Sequence, residues 1–106
     1  MSSLNIGFSN LVGRARVQTD GTLLQAQGIV SASVRNGAGD YTVTLQRAIS
    51  LIDYDIEPDI MTGARNANAN IVLTDSTHVQ VLTSVGAGAT DEQFTLKIFQ
   101  RSNAGA

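Results

Sequence analysis

The segment Tyr41-Thr42-Val43-Thr44-Leu45-Gln46 alternates apolar and polar side chains without a break. Side chains of an extended chain point to opposite faces in turn, so this pattern predicts a strand with one face buried and one face wet. Phe94-Thr95-Leu96-Lys97-Ile98 repeats it, with Phe94, Leu96 and Ile98 on one side, and His78-Val79-Gln80-Val81 does so again. The run from Leu23 to Arg35 places Leu24, Ala26, Val30, Ala32 and Val34 in one phase, with Gly28 expected as a bulge or bend midway. Shorter strands are predicted over 13–18, 60–65 and 70–74. Around Ala48 to Tyr54 a helical turn is expected, and Pro58 is expected to begin or interrupt an edge strand.

The connectors carry turn chemistry. Asp20-Gly21 stands between two strand patterns as a hairpin signal, and 36–40 and 86–88 supply residues that tolerate positive φ. The segment 66–70 reads as a polar link and 75–77 as a short turn. About seven closely spaced strands and no helix of ten or more residues predict an all-β fold. The expected architecture is a small antiparallel β-sandwich, jelly-roll or immunoglobulin-like. The organisation read from the sequence is an N-terminal arm or attachment segment over 1–12, the sandwich over 13–101 and a C-terminal tail over 102–106.

Composition narrows the function. In 106 residues, 15% are charged and 5% aromatic, and Lys plus Arg 7 against Asp plus Glu 9 leave a net charge of −2. A net acidic domain lacks the basic footprint of nucleic-acid binding. No apolar run reaches the roughly 20 residues of a membrane-spanning helix. Without cysteine there are no disulfides, thiolate nucleophiles or thiolate metal sites.

Catalytic motifs are not found. His78 is the sole histidine, with Asp75 nearby, but no Gly-x-Ser-x-Gly elbow accompanies it. It is expected as a polar strand residue. The glycines at 37, 39, 86 and 88 lack the following helix and lysine of phosphate loops. Neither an enzyme activity nor a cofactor is predicted. The acidic run contains Asp53, Asp55, Glu57 and Asp59, which fall on one side of an extended chain and form the sole candidate calcium set. The EF-hand pattern is not completed, since Pro58 stands where its glycine belongs and Ala64 where its bidentate Glu belongs. An acidic edge that opposes strand-to-strand aggregation accounts for the same residues.

Interface candidates come from residues out of step with the core phases. Leu23, Ile29, Leu82 and Phe99 fall on the otherwise polar side and are expected either to fill edge gaps or to lie at subunit contacts. Arg14 and Arg16 share a strand face, with Arg35 expected close by. Together they offer contacts for an acidic partner surface or an acidic glycan.

The stretch from Gly13 to Leu45, with Asp20-Gly21-Thr22 and then Gly37-Ala38-Gly39-Asp40-Tyr41-Thr42-Val43, resembles a module of tailed-phage structural proteins. The ending Asp91-Glu92-Gln93-Phe94 is similar to that module's closing "D-x-x-F" strand. The resemblance spans most of 13–100. It implies a non-enzymatic virion protein: a capsid decoration, or the base of a head or tail fibre, assembled with other virion proteins and forming homo-oligomers, trimers above all. It implies no membrane or nucleic-acid partner. The alternative expectation is a module of a phage appendage that binds host-surface carbohydrate.

Overall fold

The computed structural model describes residues 10–61, 67–86 and 88–101. It is all-β, with nine strands in two antiparallel sheets packed face to face. These are β1 (Leu11–Val17), β2 (Leu23–Gly28), β3 (Val30–Gly37), β4 (Asp40–Leu45), β5 (Tyr54–Ile60), β6 (Ala67–Asp75), β7 (His78–Val85), β8 (Gly88–Ala89) and β9 (Phe94–Gln100). One sheet has the order β2-β1-β9-β5, the other β3-β4-β7-β6 with the short β8 beside β7. The first and last strands therefore pair at the centre of the first sheet. Of the expected arm over 1–12, residues 1–9 lie outside the described residues and Leu11 and Val12 already belong to β1; the expected tail over 102–106 lies outside them as well.

The core lies between the sheets. Ala15 and Val17 of β1, Tyr41 and Val43 of β4, Val79 and Val81 of β7, and Phe94, Leu96 and Ile98 of β9 are fully buried. Each is an alternate residue of its strand, so periodicity alone selected them. Burying one such Val, Leu, Ile or Phe side chain stabilises by about 1.5–3 kcal/mol.

One segment departs from the expectation. The run from Leu23 to Arg35 is two strands, β2 and β3, and they belong to different sheets. Gly28 adopts φ 63°, and a Cβ there would collide with the Val12 carbonyl. The chain turns this corner with Ile29 buried and its N–H bonded to Val12 O at 3.0 Å. Register shifts between Arg16 and Val17 and between Val30 and Ala32 then invert the phase on both sides of the corner. Leu23 consequently packs on the core, whereas Leu24 and Val34 are exposed. The outer-face expectation for Leu23 and Ile29 is therefore corrected: both belong to the core.

Two further expectations change. The polar link at 66–70 is largely strand, since β6 begins at Ala67. Its Asn68 and Asn70 face outward while Ala69 and Ile71 pack on the core. The strand expected over 60–65 is not seen as such: Ile60 ends β5, and 62–66 lie outside the described residues. Before β5, residues 51–53 form a turn closed by Tyr54 N–H to Ser50 O at 3.0 Å. Pro58 sits within β5, at the edge of its sheet.

A polar clasp ties the two ends of the fold. Asp91 Oδ1 accepts from Gly39 N–H at 2.7 Å and lies 3.2 Å from the Tyr41 hydroxyl, which also donates to Thr19 O at 2.8 Å. Asp91 Oδ2 accepts from Arg35 at 3.0 Å. Behind it, Gly39 O accepts from Thr83 N–H, and Thr83 Oγ1 donates to Thr90 O at 2.6 Å. Gly39 holds φ 64° and its Cα faces the Thr83 carbonyl, leaving no space for a Cβ.

Gly39→Ala is expected to cost about 2–4 kcal/mol, from strain plus a backbone clash. Gly37→Ala, where a Cβ meets open space, should change stability by less than about 0.5 kcal/mol. Urea denaturation of both variants measures the contrast.

The clasp also sets a pH dependence. The Arg35 hydrogen bond, helped by Gly39 N–H, holds the Asp91 carboxyl below its ordinary value. Its contribution is therefore present above the unfolded carboxylate value of about 4 and is lost as pH falls through the lowered folded value. Burial, with Asp91 close by, pushes Tyr41 up to about 12. That contribution is complete below the unfolded value of about 10 and is lost as pH rises towards the folded one. Asp91→Asn should flatten the acid limb of a stability–pH curve measured by thermal unfolding, while an unaltered limb would assign acid lability to other groups.

Candidate functional site

The most highly charged surface is the outer face of the β2-β1-β9-β5 sheet. In Gly13-Arg14-Ala15-Arg16-Val17 the small and apolar residues point inward, so both arginines point outward. The register places Gln27, Arg14, Lys97 and Glu57 in one row across the four strands. Gln25, Arg16, Thr95 and Asp59 form the next row, and Leu11, Phe99 and Asp55 the one on the other side. Basic residues thus occupy the two central strands and carboxylates the β5 edge.

This charge is not internally spent. The ion pairs found among the described residues are Arg35–Asp91, His78–Asp75 and Arg101–Asp55. Arg14, Arg16, Lys97, Glu57 and Asp59 take part in none of them. The Nε atoms of Arg14 and Arg16 are enclosed without a hydrogen-bond partner, as is the Thr95 hydroxyl, whose residue is only 3% exposed. Beside them, Lys97, Glu57 and Asp59 with Ile56 and Pro58 line an open concavity of about 350 Å³. Phe99 is half-buried on this face, as the out-of-phase pattern predicts.

The calcium set is not assembled by the fold. Asp55, Glu57 and Asp59 do share the outer side of β5, but alternate positions of a strand stand about 6.6–6.8 Å apart. Asp53 precedes the strand, and Asp55 is engaged by Arg101 at 2.9 Å. Among the described residues no three carboxylates or histidines converge as a metal site would require. Arg35 is likewise not beside Arg14 and Arg16; it lies on β3 in the opposite sheet, in the Asp91 clasp.

The outer face of the other sheet carries few charges, and at its end His78 and Asp75, in the row of Thr44, pair with each other. Val34, Thr42, Gln80 and Val72 form one row, and Asp40, Leu82 and Asn70 the next. Val34 is 52%, Val72 46% and Leu82 36% exposed. The one carboxylate among them, Asp40, accepts from Asn36 Nδ2 at 3.2 Å and Gln80 Nε2 at 2.9 Å. Leu82 is where its phase predicted it. Alternation puts Val34 in the phase of the buried Val30, and the register shift between Val30 and Ala32 turns it outward instead; Val72 lies in a short strand whose buried face the pattern does not fix.

His78 starts β7 just after the turn at 75–77. Its Nδ1 lies 2.8 Å from Asp75 Oδ1 and 3.1 Å from Thr77 Oγ1. A hydrolytic relay needs acid and nucleophile on opposite ring nitrogens. Here carboxylate and hydroxyl crowd the same one, and Thr77 N–H also bonds Asp75 at 2.9 Å. The group is a turn lock, in which the His78 hydrogen bond, then Thr77 N–H, brings the Asp75 carboxyl down to about 2. Tyr41 is fully buried, and Tyr54 packs on the core, so neither offers an aromatic platform to a sugar ring.

No protein-family model, curated protein or solved structure matches the chain.

Because Arg14 and Arg16 form no ion pair, removing their charged ends should hardly touch folding. Arg14→Met and Arg16→Met are each expected to change stability by less than about 0.5 kcal/mol in urea denaturation, since the aliphatic stems are kept. A loss above about 2 kcal/mol would make these residues part of the fold's own support.

Proposed function

We propose that the chain is a non-enzymatic structural protein of a phage virion, a capsid decoration or the base of a head or tail fibre, working by protein–protein assembly. The observation that carries this reading is the outer face of β3-β4-β7-β6. A sheet face with Val34, Val72 and Leu82 exposed among Thr, Asn and Gln can be dehydrated at little electrostatic cost. Its carboxylates are already engaged within the face, Asp40 by Asn36 and Gln80 and Asp75 by His78. Such a surface suits a neighbouring virion protein or another copy of the chain better than it suits a small ligand. The resemblance of the Gly37–Val43 hairpin and of Asp91–Phe94 to tailed-phage modules points the same way.

Immunogold labelling of purified particles with an antibody against the chain tests the proposal. Regular label on the head or tail is expected, and particles without label would overturn the reading. Val34→Asp with Leu82→Asp should leave the chain folded and lower its copy number per particle at least tenfold, read by quantitative mass spectrometry of the particles.

A further inference from the structure

We propose that the outer face of the β2-β1-β9-β5 sheet is a self-complementary interface whose partner is the same face of a second copy of this chain. It deepens the assembly reading by naming one partner.

The face carries two matched arrays. Arg14 and Arg16 stand at alternate positions of β1, and Glu57 and Asp59 stand at alternate positions of β5. Both pairs therefore repeat at about 6.6–6.8 Å. The register sets Arg14 in the same row as Glu57 and Arg16 in the same row as Asp59, with β9 between them. Within one chain these charges are kept apart by the intervening strand, and none of the four joins an ion pair among the described residues.

A two-fold axis running along β9, in the plane between two facing sheets, exchanges the positions of β1 and β5. It lays Glu57 of one copy over Arg14 of the other and Asp59 over Arg16, and then repeats both pairs reciprocally. A closed, isologous contact follows from the register alone. Phe99 of β9 lies close to that axis and meets its own copy there; Lys97, on the same strand and in the row of Arg14 and Glu57, also meets its own copy, with Glu57 of both chains flanking the two ammonium groups. The unpartnered Thr95 hydroxyl and the Arg14 and Arg16 Nε atoms lie in the same strip.

The size of the face sets the strength. The three strands that overlap about this axis, β1, β9 and β5, about 4.8 Å apart and some 20 Å long, cover on the order of 300 Å² per copy. The total of about 600 Å² lies below the range of stable complexes, so the contact is weak in dilute solution and gains weight where copies are held close together. Exposed ion pairs also make it salt-sensitive, because screening shortens from about 30 Å at 0.01 M to 3 Å at 1 M. The contact is two-fold, which separates it by mass from a trimer.

Analytical ultracentrifugation of the full chain, at low and at high salt, reads the association directly. A dimer is expected at low salt at the highest protein concentration used, with its dissociation constant raised at least tenfold at about 0.5 M salt. Arg14→Glu/Arg16→Glu and Glu57→Arg/Asp59→Arg should each be monomeric, and an equimolar mixture of the two should recover a dimer. The chain has no native cysteine, so Phe99→Cys in the otherwise unaltered protein supplies a clean second measurement. It should form a disulfide dimer at low salt and more than tenfold less at high salt.

A wild-type monomer at every salt concentration would overturn the proposal. So would a dimer or trimer that survives both charge reversals, or a mixture that fails to recover association. Saturable binding of a heparin-derived sulfated oligosaccharide by a chain that stays monomeric would assign the arginines to a glycan instead. None of these results bears on particle labelling, so this interface and the virion reading fail separately.

Discussion

The carboxylate of Asp91 is the point at which the distant parts of this chain are made to agree. It receives the Gly39 N–H from the β3–β4 turn, the Tyr41 hydroxyl from within β4 and the Arg35 guanidinium from β3. Three residues later Phe94 enters the core and meets the Tyr41 ring edge-on, with centroids 5.1 Å apart. One short segment therefore holds the β3–β4 hairpin on its polar side and packs against it on its apolar side. The last strand, so placed, lies between β1 and β5 and completes the first sheet.

A sandwich buries one face of each strand, and this constraint explains both what could be read in advance and what could not. Tyr41 to Leu45, Val79 to Val81 and Phe94 to Ile98 keep strict alternation, and each lies in the core as its pattern predicts. The Leu23–Arg35 run fails because its alternation is broken by geometry rather than by composition. The corner at Gly28 and the register shifts at Arg16/Val17 and Val30/Ala32 move Leu23 and Ile29 inward and Leu24 and Val34 outward. A glycine signals that a bend is possible, but it does not say to which sheet the chain goes next. Asn68 and Asn70 mislead for a related reason, since small polar residues on a solvent-facing strand have the composition of a link.

The candidate surfaces were legible one strand at a time. Arg14 and Arg16 follow from alternation within β1, and the acidic side of β5 from alternation around Pro58. Their common row with Lys97 and Thr95 depends on β9 pairing with both strands, a contact between the two ends of the chain that no local pattern contains. Asp91 lay in a recognisable motif, yet its role needed the fold, because its partners are 50 or more residues away.

The two outer faces differ in what they offer a partner. One carries few charges, each engaged within the face; the other carries opposite charges in register across β1, β9 and β5. Hydroxyl-radical footprinting of the chain, free and within native particles, tests directly whether these faces rather than the loops carry the function. Strong loss of reactivity is expected at Val34, Leu82 and Phe99 in the particle, with Leu51 and Ile52 of the exposed β4–β5 turn unchanged. Equal reactivity of Val34, Leu82 and Phe99 in both states would contradict it.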